Sequence, residues 1–286
     1  MIFFSIIIAT YNRSTILRSA IDSVLGQTFS EFELIVVDDG SSDSTSELLS
    51  EISDSRLHHF HQHNLGVSAA RNAGALKASG TYLIFLDADD QMGPNYLQLA
   101  FECLIDKPVK LLLASSQFLS AAGHVEKVRS PGSAEKPMHG LTGSFGIDRL
   151  FFLSVQGYDP QLRYSENSDL FLRIYKKLSN KDLILCPEAY VIISFEEPAS
   201  RITRHAENRY FSTVYFMEKH ADYFNQNPIE HYNFNRIAAH SALRTGRNTS
   251  ALFWSWQSVR LRPFLPRAWF SFLKTIGLSL INQFGK

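Results

Sequence analysis

The stretch that most constrains the fold of this chain is a short apolar run that ends in carboxylates. Residues 82–86 are all large and apolar, as expected of a strand that is buried on both faces of a parallel sheet. Asp87, Asp89 and Asp90 follow directly. Buried carboxylates are costly unless they are paired or coordinate a metal. We therefore predict that these three lie at the rim of a sheet, just beyond the end of the strand.

Crowding of the three carboxylates suggests a cation. Like charges this close repel each other unless a positive charge lies between them. Mg²⁺ or Mn²⁺, held by one or two carboxylates and completed by substrate phosphates, would remove that repulsion. The alternative is an acidic turn in which Asp89 or Asp90 caps the next helix. This stretch alone leaves both interpretations open.

Strands and helices alternate through the first 113 residues. Apolar runs predict strands over residues 3–10, 32–37, 57–61, 82–86 and 109–113, and apolar periodicity predicts helices over 16–27, 44–53, 67–78 and 95–105. Such alternation is typical of right-handed βαβ units and a mainly parallel sheet, so the predicted class is α/β. Polar clusters follow three strands, at residues 10–12, 38–39 and 87–90. Because ligands bind beyond the carboxyl ends of such strands, we expect the clusters to converge on one rim.

Composition is that of a globular protein. Apolar residues make up 45% of the chain and charged residues 20%, which argues against disorder and against a chain that is membrane-spanning throughout. The apolar N-terminus lacks a basic leading region and is too short to span a bilayer, so we interpret it as a strand and not as a signal peptide. Cys103 and Cys186 lie far apart without metal-ligand spacing. We expect a reducing compartment and no structural disulfide.

Charge is distributed unevenly along the chain. Residues 1–230 carry a net charge of −8, whereas residues 231–286 contain eight basic residues and no acidic one. Four helical segments are predicted here, over residues 209–224, 230–244, 250–261 and 269–284. The last part interleaves aromatic and basic residues, which suits a helix in the headgroup region of anionic lipids. Packing of this helix on the rest of the chain or on a dimer partner is the alternative.

Four motifs together resemble those of family 2 glycosyltransferases. They are SIIIATYNR at residues 5–13, IVVDDGSSD at 35–43, NLGVSAARN at 64–72 and LDADD at 86–90. The resemblance implies the GT-A fold, a mainly parallel Rossmann-like sheet flanked by helices. It also implies transfer of a sugar from a nucleotide diphospho-sugar with inversion at the anomeric carbon.

The resemblance assigns roles to individual residues. Thr10 and Tyr11 would line the base pocket and Asp39 would bond the base. Arg71 would lie near the diphosphate, where a planar guanidinium matches phosphate oxygens. Asp87 would lie near the ribose, Ala88 would line the same nucleotide-sugar site, and Asp89 would bind the divalent cation.

A second acidic stretch, residues 164–173, falls where relatives often read Glu-Asp-x-Asp and carry the catalytic base. Here the usual first aspartate is Asn167, an amide that cannot take a proton. Glu166 or Asp169 must then activate the acceptor hydroxyl, and we favour Glu166 slightly. Asp169 is equally suited to cap a helix over residues 170–177.

The resulting hypothesis is a metal-dependent hexosyl- or hexosaminyltransferase that uses Mn²⁺ or Mg²⁺ and a nucleotide diphospho-sugar donor, for which we favour a UDP-sugar. Residues 1–204 would form the GT-A domain, with a nucleotide-binding half (1–113) and an acceptor half (114–204), and residues 205–286 a helical extension. We expect a cytoplasmic protein, peripheral at the inner face of the membrane, that acts on a glycan or lipid-linked acceptor in bacterial surface-polysaccharide synthesis and binds no nucleic acid. The alternative is a catalytically inactive scaffold that binds nucleotide or a partner protein.

Overall fold

The structure, a computed structural model, describes residues 2–120, 123–131, 141–194 and 206–284. The chain divides into two compact units, Met1–Pro160 with Glu166–Pro198, and Gln161–Ser165 with Ala199–Lys286. The predicted boundary between residues 204 and 205 lies outside the described residues. The domain limits, including the division at residue 113, therefore stay predictions.

The first half of the larger unit has the predicted alternation. Its strands and helices are β1 (Phe4–Thr10), α1 (Leu17–Leu25), β2 (Phe32–Asp38), α2 (Thr45–Ser50), β3 (Leu57–His61), α3 (Val67–Lys77) and β4 (Tyr82–Asp87). Strand β1 pairs in parallel with both β2 and β4, and β2 pairs in parallel with β3. The predicted α/β class is confirmed, and the pairings among these four strands are parallel as predicted.

Residues 90–194 complete the sheet in a less regular way. The elements are β5 (Asp90–Met92), α4 (Tyr96–Ile105), β6 (Leu111–Leu119), β7 (Val125–Arg129), β8 (Phe145–Asp148), α5 (Arg149–Ser154), α6 (Glu166–Lys177), a 3₁₀ turn (Asn180–Asp182) and β9 (Leu183–Ser194). The described strands follow the order β3-β2-β1-β4-β8-β6-β9-β5, with β7 paired to β6. Strand β8 is antiparallel to both of its neighbours, and β5 is antiparallel to β9.

Several boundaries in this region differ from the predictions. Residues Phe145–Asp148 pair with β4 and β6 as a strand that the sequence did not predict, and α5 begins only after it. The side chain of Asp148 accepts a hydrogen bond from the Phe151 amide and caps the helix. The strand expected over residues 109–113 runs from Leu111 to Leu119. Short strands surrounded by loops give too little periodicity for sequence reasoning to find them.

Apolar residues cover both faces of the sheet. Along β1, Ile6 and Ile8 belong to a core that α1 and α4 cover, whereas Ile7 belongs to a core that α3 covers. Alternate side chains of a strand point to opposite faces, which explains this division. A Cβ atom on Gly74 would lie 2.6 Å from Cγ2 of Ile7, so a glycine is needed where α3 crosses β1.

The smaller unit is helical. Its described helices are α7 (Ala206–Lys219), α8 (Ala221–Gln226), α9 (Pro228–Arg244), α10 (Asn248–Leu261) and α11 (Pro266–Phe284). The segment predicted as one helix over residues 209–224 therefore forms two helices, because the helix is interrupted at His220. The aromatic rings of Phe216, Phe224 and Phe234 pack against one another in edge-on or tilted arrangements inside the unit. None of the described helices is long and apolar enough to cross a lipid bilayer.

A buried carboxylate joins three strands at the amino-terminal edge of the sheet. Oε1 of Glu33 in β2 accepts hydrogen bonds from Ser5 Oγ in β1 (2.6 Å) and from the amide and hydroxyl of Ser79 before β4 (2.7 and 2.8 Å). Burial opposes ionisation of Glu33, but the hydrogen bonds from Ser5 and Ser79 outweigh it and lower its pKa. The charged form of Glu33 is therefore the one that the fold stabilises.

We expect Glu33→Gln to lower the free energy of unfolding by about 1–2 kcal/mol at neutral pH, because hydrogen bonds to a charged acceptor are stronger than those to an amide. Since the folded pKa is lowered, this contribution is present above the ordinary pKa of 4.5 and is lost as pH falls through the lower folded value. Urea denaturation at a series of pH values measures both effects. The exposed Glu31→Gln is the matched control. Equal losses in the two variants, or a loss that grows on acidification, would contradict this assignment.

Candidate functional site

The ends of β1, β2 and β4 meet at one edge of the sheet, as the alternation predicted. Thr10 is the register partner of Asp38, and Ala9 is the register partner of Asp87. The Asp39 amide continues the pairing by donating to the Thr10 carbonyl (2.8 Å). The carboxyl ends of parallel strands thus bring the three polar clusters together.

Asp87, Asp89 and Asp90 form an acidic cluster at this edge. One carboxylate oxygen from each lies within 4.8 Å of the others. Asp90 is buried and begins β5, whereas α4 begins only at Tyr96, so the interpretation of Asp89 or Asp90 as a cap of the next helix is wrong. Three carboxylates are a hard oxygen donor set, which fits Mg²⁺ or Mn²⁺. Ala88, between them, is 7% exposed and packs into the core.

Arg71 of α3 is the buried positive charge of the site. Its Nη2 donates to Asp87 (2.6 Å) and to Thr142 Oγ1 (3.4 Å), and its Nη1 lies 3.4 Å from Glu166 Oε1. Its guanidinium also lies over the ring of Tyr158. Burial opposes the charge of Arg71, but the negative charge of Asp87 and its other neighbours outweighs burial and raises its pKa. The sequence predicted the position of Arg71 near the phosphate site but not its contact with Glu166.

Asn167 lies inside a hydrogen-bonded network. Its Oδ1 accepts from the Tyr158 hydroxyl and its Nδ2 donates to Thr142 Oγ1, both at 3.1 Å. Thr142 belongs to a segment of small residues in which Gly143 has φ +79°, and a Cβ on this glycine would lie 2.7 Å from Cγ2 of Val191. The preceding Gly140 lies outside the described residues. Asn167 therefore links α6 to the segment before β8.

Asn72 fixes the backbone of Tyr158. Its side chain donates to the Tyr158 carbonyl (2.7 Å) and accepts from the Tyr158 amide (2.9 Å). The preceding Gly157 has φ +58°, and a Cβ there would lie 2.5 Å from Oδ1 of Asn72. The sequence analysis assigned no role to Tyr158, Asn72 or Thr142. Asn72 was visible there only as the last residue of the motif at 64–72.

The two candidate bases have different surroundings. The side chain of Glu166 is 20% exposed and lies beside Arg71, whereas the side chain of Asp169 is fully buried. Oδ2 of Asp169 accepts from Nε and Nη2 of Arg173 (2.9 and 2.5 Å), and Arg173 also donates to the Val155 carbonyl. Asp169 lies within α6 and not at its cap position, so the predicted helix cap is wrong.

Two buried aspartates lie at the end of β2, and both of their carboxylates accept hydrogen bonds from neighbouring residues. Asp38 accepts from the Ser41 amide, and its other oxygen lies 3.1 Å from Nδ1 of His61. Asp39, the predicted base partner, accepts from the Gln62 side chain (2.7 Å) and from the amides of Leu65 and Gly66 (2.9 and 2.8 Å). A carboxylate has about four acceptor positions, so these three bonds leave about one for a ligand.

Thr10 and Tyr11 follow one another at the end of β1 with opposite exposure. Thr10 is buried, and its Oγ1 has no hydrogen-bond partner among the described residues. Tyr11 is 44% exposed. A buried hydroxyl without a partner is rare in native structures, which marks this position for a ligand or a water molecule.

We expect Asp169→Asn to lower the free energy of unfolding by about 3 kcal/mol, because it leaves the charge of Arg173 without its buried partner. The control is Asp22→Asn, which breaks the Arg18–Asp22 pair at the same four-residue spacing but with both side chains more than half exposed. That variant should lose less than about 0.5 kcal/mol. Chemical denaturation measures both, and similar small losses would mean that Asp169 is not a structural ion-pair partner.

Comparisons with known proteins agree with this architecture. The family model "Glycosyl transferase family 2" matches residues 5–124. Glycosyltransferase GlyA of Streptococcus pneumoniae is 36% identical over 104 residues, which are 36% of this chain and 15% of GlyA. The chain spans only 15–21% of the length of the first relatives that it matches.

Two solved structures share the fold. S. aureus TarS 1-349 in complex with UDP-GlcNAc aligns with a TM-score of 0.67 at 17% identity, over 100% of this chain and 93% of that one. GalNAc-T7 with UDP, GalNAc and Mn²⁺ aligns with a TM-score of 0.60 at 19% identity, over 76% of this chain and 48% of that one. Likeness at such low identity establishes the fold alone. Residues 5–124 are thus similar to glycosyl transferase family 2, and the fold is the GT-A fold that the motifs predicted.

Proposed function

We propose that the chain is an inverting glycosyltransferase. It transfers a hexosyl or hexosaminyl group from a nucleotide diphospho-sugar, a UDP-sugar, to a glycan or lipid-linked acceptor in cell-surface polysaccharide synthesis. The observation that carries this proposal is Arg71, which contacts Asp87 of the acidic cluster and Glu166 of α6 at once. With the donor bound, its diphosphate, the cation ligands and a candidate base would all lie around the Arg71 guanidinium. The surface-polysaccharide role is inferred from the family resemblance.

The donor would bind along the ends of β1, β2 and β4. Thr10 and Tyr11 border the base, and the unpartnered Thr10 hydroxyl supports a ligand there. Asp39 accepts the base N–H with its remaining acceptor position. Asp87 bonds the ribose, and the buried Ala88 contributes its backbone beside it. The UDP and UDP-GlcNAc complexes of TarS, which shares the fold, support a nucleotide-sugar as the donor.

Asp89, together with Asp87 and Asp90, would hold a divalent cation. A bound Mn²⁺ or Mg²⁺ neutralises the charge that develops on the departing diphosphate. Arg71 adds a fixed positive charge to the same group, and because it is buried it needs no reorganisation during the reaction. The Mn²⁺ in the GalNAc-T7 complex supports such a cation.

Glu166 is the proposed base. In one displacement the acceptor oxygen bonds to the anomeric carbon, its proton passes to Glu166, and the bond from that carbon to the diphosphate oxygen breaks. The partial exposure of Glu166 supports this choice, whereas the ion pair with Arg173 occupies Asp169. Asn167 cannot take the proton, and its network positions the first turn of α6 next to Arg71.

The helical unit offers a surface that suits an anionic membrane. Pro266, Phe270, Leu273, Gly277 and Leu280 recur every three or four residues along α11 and are exposed, so they form one apolar face. Phe264, in the turn before α11, is 98% exposed. Arg267 and Lys274 border this face, and the basic excess of residues 231–286 matches anionic headgroups. We call these residues the α11 face and propose that it lies on the membrane surface where the acceptor is made.

We expect Asp89→Asn to weaken binding of UDP-GlcNAc in the presence of Mn²⁺ by at least about tenfold. Mutation of residues that only support the metal ligands already lowers metal affinity or activity about 10–100-fold. Asp89→Asn should also weaken binding of Mn²⁺ alone, which calorimetry measures without turnover. Asp106→Asn, an exposed carboxylate at the end of α4, is the control. Unchanged Mn²⁺ and donor affinities in Asp89→Asn would rule out the cation site.

Loss of the base should affect turnover and leave binding intact. We expect Glu166→Gln to lower kcat about 10²–10⁴-fold while the Kd for UDP-GlcNAc changes by less than about threefold. The exposed Glu102→Gln serves as control. Donor hydrolysis or transfer that survives Glu166→Gln but not Asp169→Asn would move the base to Asp169. Donor binding by the wild type without turnover across a broad acceptor panel would favour the inactive scaffold.

The α11 face predicts lipid-dependent flotation. The full chain should float with vesicles that contain phosphatidylglycerol, less so with pure phosphatidylcholine, and flotation should fall as salt rises. Phe270→Ser with Leu273→Ser should abolish most of it, whereas Leu76→Ser, an exposed apolar residue of α3, should not. If the double variant floats as well as the wild type, the membrane proposal fails. A wild-type dimer that the double variant converts to a monomer, without vesicle binding, would assign the face to a second copy.

A further inference from the structure

The two cysteines of the chain lie next to each other in the fold. Cys103 is in the last turns of α4 and Cys186 is in β9, 83 residues apart in sequence, yet their Sγ atoms are only 2.7 Å apart. A disulfide bond is about 2.0 Å long, so the two sulfurs lie within about 1 Å of bonding distance. Their spacing in the sequence gave no sign of this proximity.

The surroundings favour a reaction between the thiols over metal binding. Among the described residues the acidic cluster at residues 87–90 is the one group of three potential metal ligands, and the cysteine pair has no third ligand. A structural zinc site needs about four. Cys186 is 1% exposed within the core between α4 and β9, whereas Cys103 is partly exposed. Cys103 is therefore partly exposed to solvent, and Cys186 lies against it in the core.

We propose that Cys103 and Cys186 form a reversible intramolecular disulfide by exchange with a small disulfide such as oxidised glutathione. The Cys103 thiolate attacks one sulfur of glutathione disulfide, whose S–S bond breaks and releases one glutathione thiolate. Cys186 then loses its proton to solvent, attacks the Cys103 sulfur of the mixed disulfide and displaces the second glutathione. Two protein thiols are oxidised and one glutathione disulfide is reduced to two glutathione molecules.

Order of attack follows from exposure. Burial, followed by the neighbouring Cys103, raises the pKa of Cys186 to about 12. The thiolate is the reactive form, so Cys186 is a poor first nucleophile, and its step should accelerate as pH rises. Because Cys103 is the more exposed of the two, we expect glutathione disulfide to react there first.

The bond would connect α4 to the strand that supports the acidic cluster. Beyond Cys186, β9 pairs with β5, where Asp90 is the register partner of Ile193 and Met92 that of Val191. A disulfide across 83 residues closes a long loop and restricts the unfolded chain. We therefore expect oxidation to raise the Tm of the larger unit by roughly 5–10 °C.

The test uses the wild-type full chain, equilibrated in glutathione buffers from fully reduced to fully oxidised. Thiol titration after denaturation should fall from two free thiols per chain to none. Non-reducing peptide mapping should identify a Cys103–Cys186 cross-link within one chain. Non-reducing gel electrophoresis should show no disulfide-linked dimer. Dithiothreitol should restore both thiols and reverse the rise in Tm.

Two single variants separate the bond from general effects of oxidant. Cys103→Ser and Cys186→Ala should each keep one free thiol or carry one glutathione, and neither should gain stability under oxidising conditions. Free thiols in the wild type throughout the buffer series would overturn the proposal. Stable glutathione adducts on Cys103 without a cross-link, or disulfide-linked dimers, would overturn it too. The wild-type comparison with and without dithiothreitol remains decisive if either variant folds poorly.

Discussion

A buried guanidinium is stable only with negative charge around it, and Arg71 meets this requirement in a way that organises the whole edge of the sheet. It connects α3 to Asp87 at the end of β4, to Glu166 in α6 and to Thr142 before β8. These segments are far apart in sequence. Because Arg71 is the common partner, the acidic cluster and the candidate base lie on two sides of the same charge.

The sheet makes this arrangement possible. Parallel strands end at the same edge, so the residues that follow β1, β2 and β4 come together without any contact between them in sequence. The apolar cores on both faces keep these strands in register, and the ring of Tyr158 extends one core up to the guanidinium. Polar residues are therefore left at the edge, where the charged groups need solvent or a ligand to satisfy them.

Glu166 and Asp169 illustrate the limit of sequence reasoning about the site. Both are carboxylates in the first turn of α6, and their spacing gives no reason to separate them. In the fold, Asp169 pairs with Arg173, one helical turn later. Glu166 instead contacts Arg71, which lies 95 residues earlier in the chain. The difference depends on which guanidinium lies within reach. The same holds for Cys103 and Cys186, whose proximity arises from the packing of α4 on β9.

Local signals were enough to predict the alternating strands and helices up to α4, the acidic residues after β4 and the positions of the four motifs. Apolar periodicity and the chemistry of residue types are sufficient for these, since each is read within a short window. Long-range packing established the rest: the antiparallel strand β8, the contact of Arg71 with Glu166, the ion pair of Asp169 and the proximity of the two cysteines. Each of these depends on the packing of distant segments, and pairing across long loops leaves no periodic pattern in the sequence.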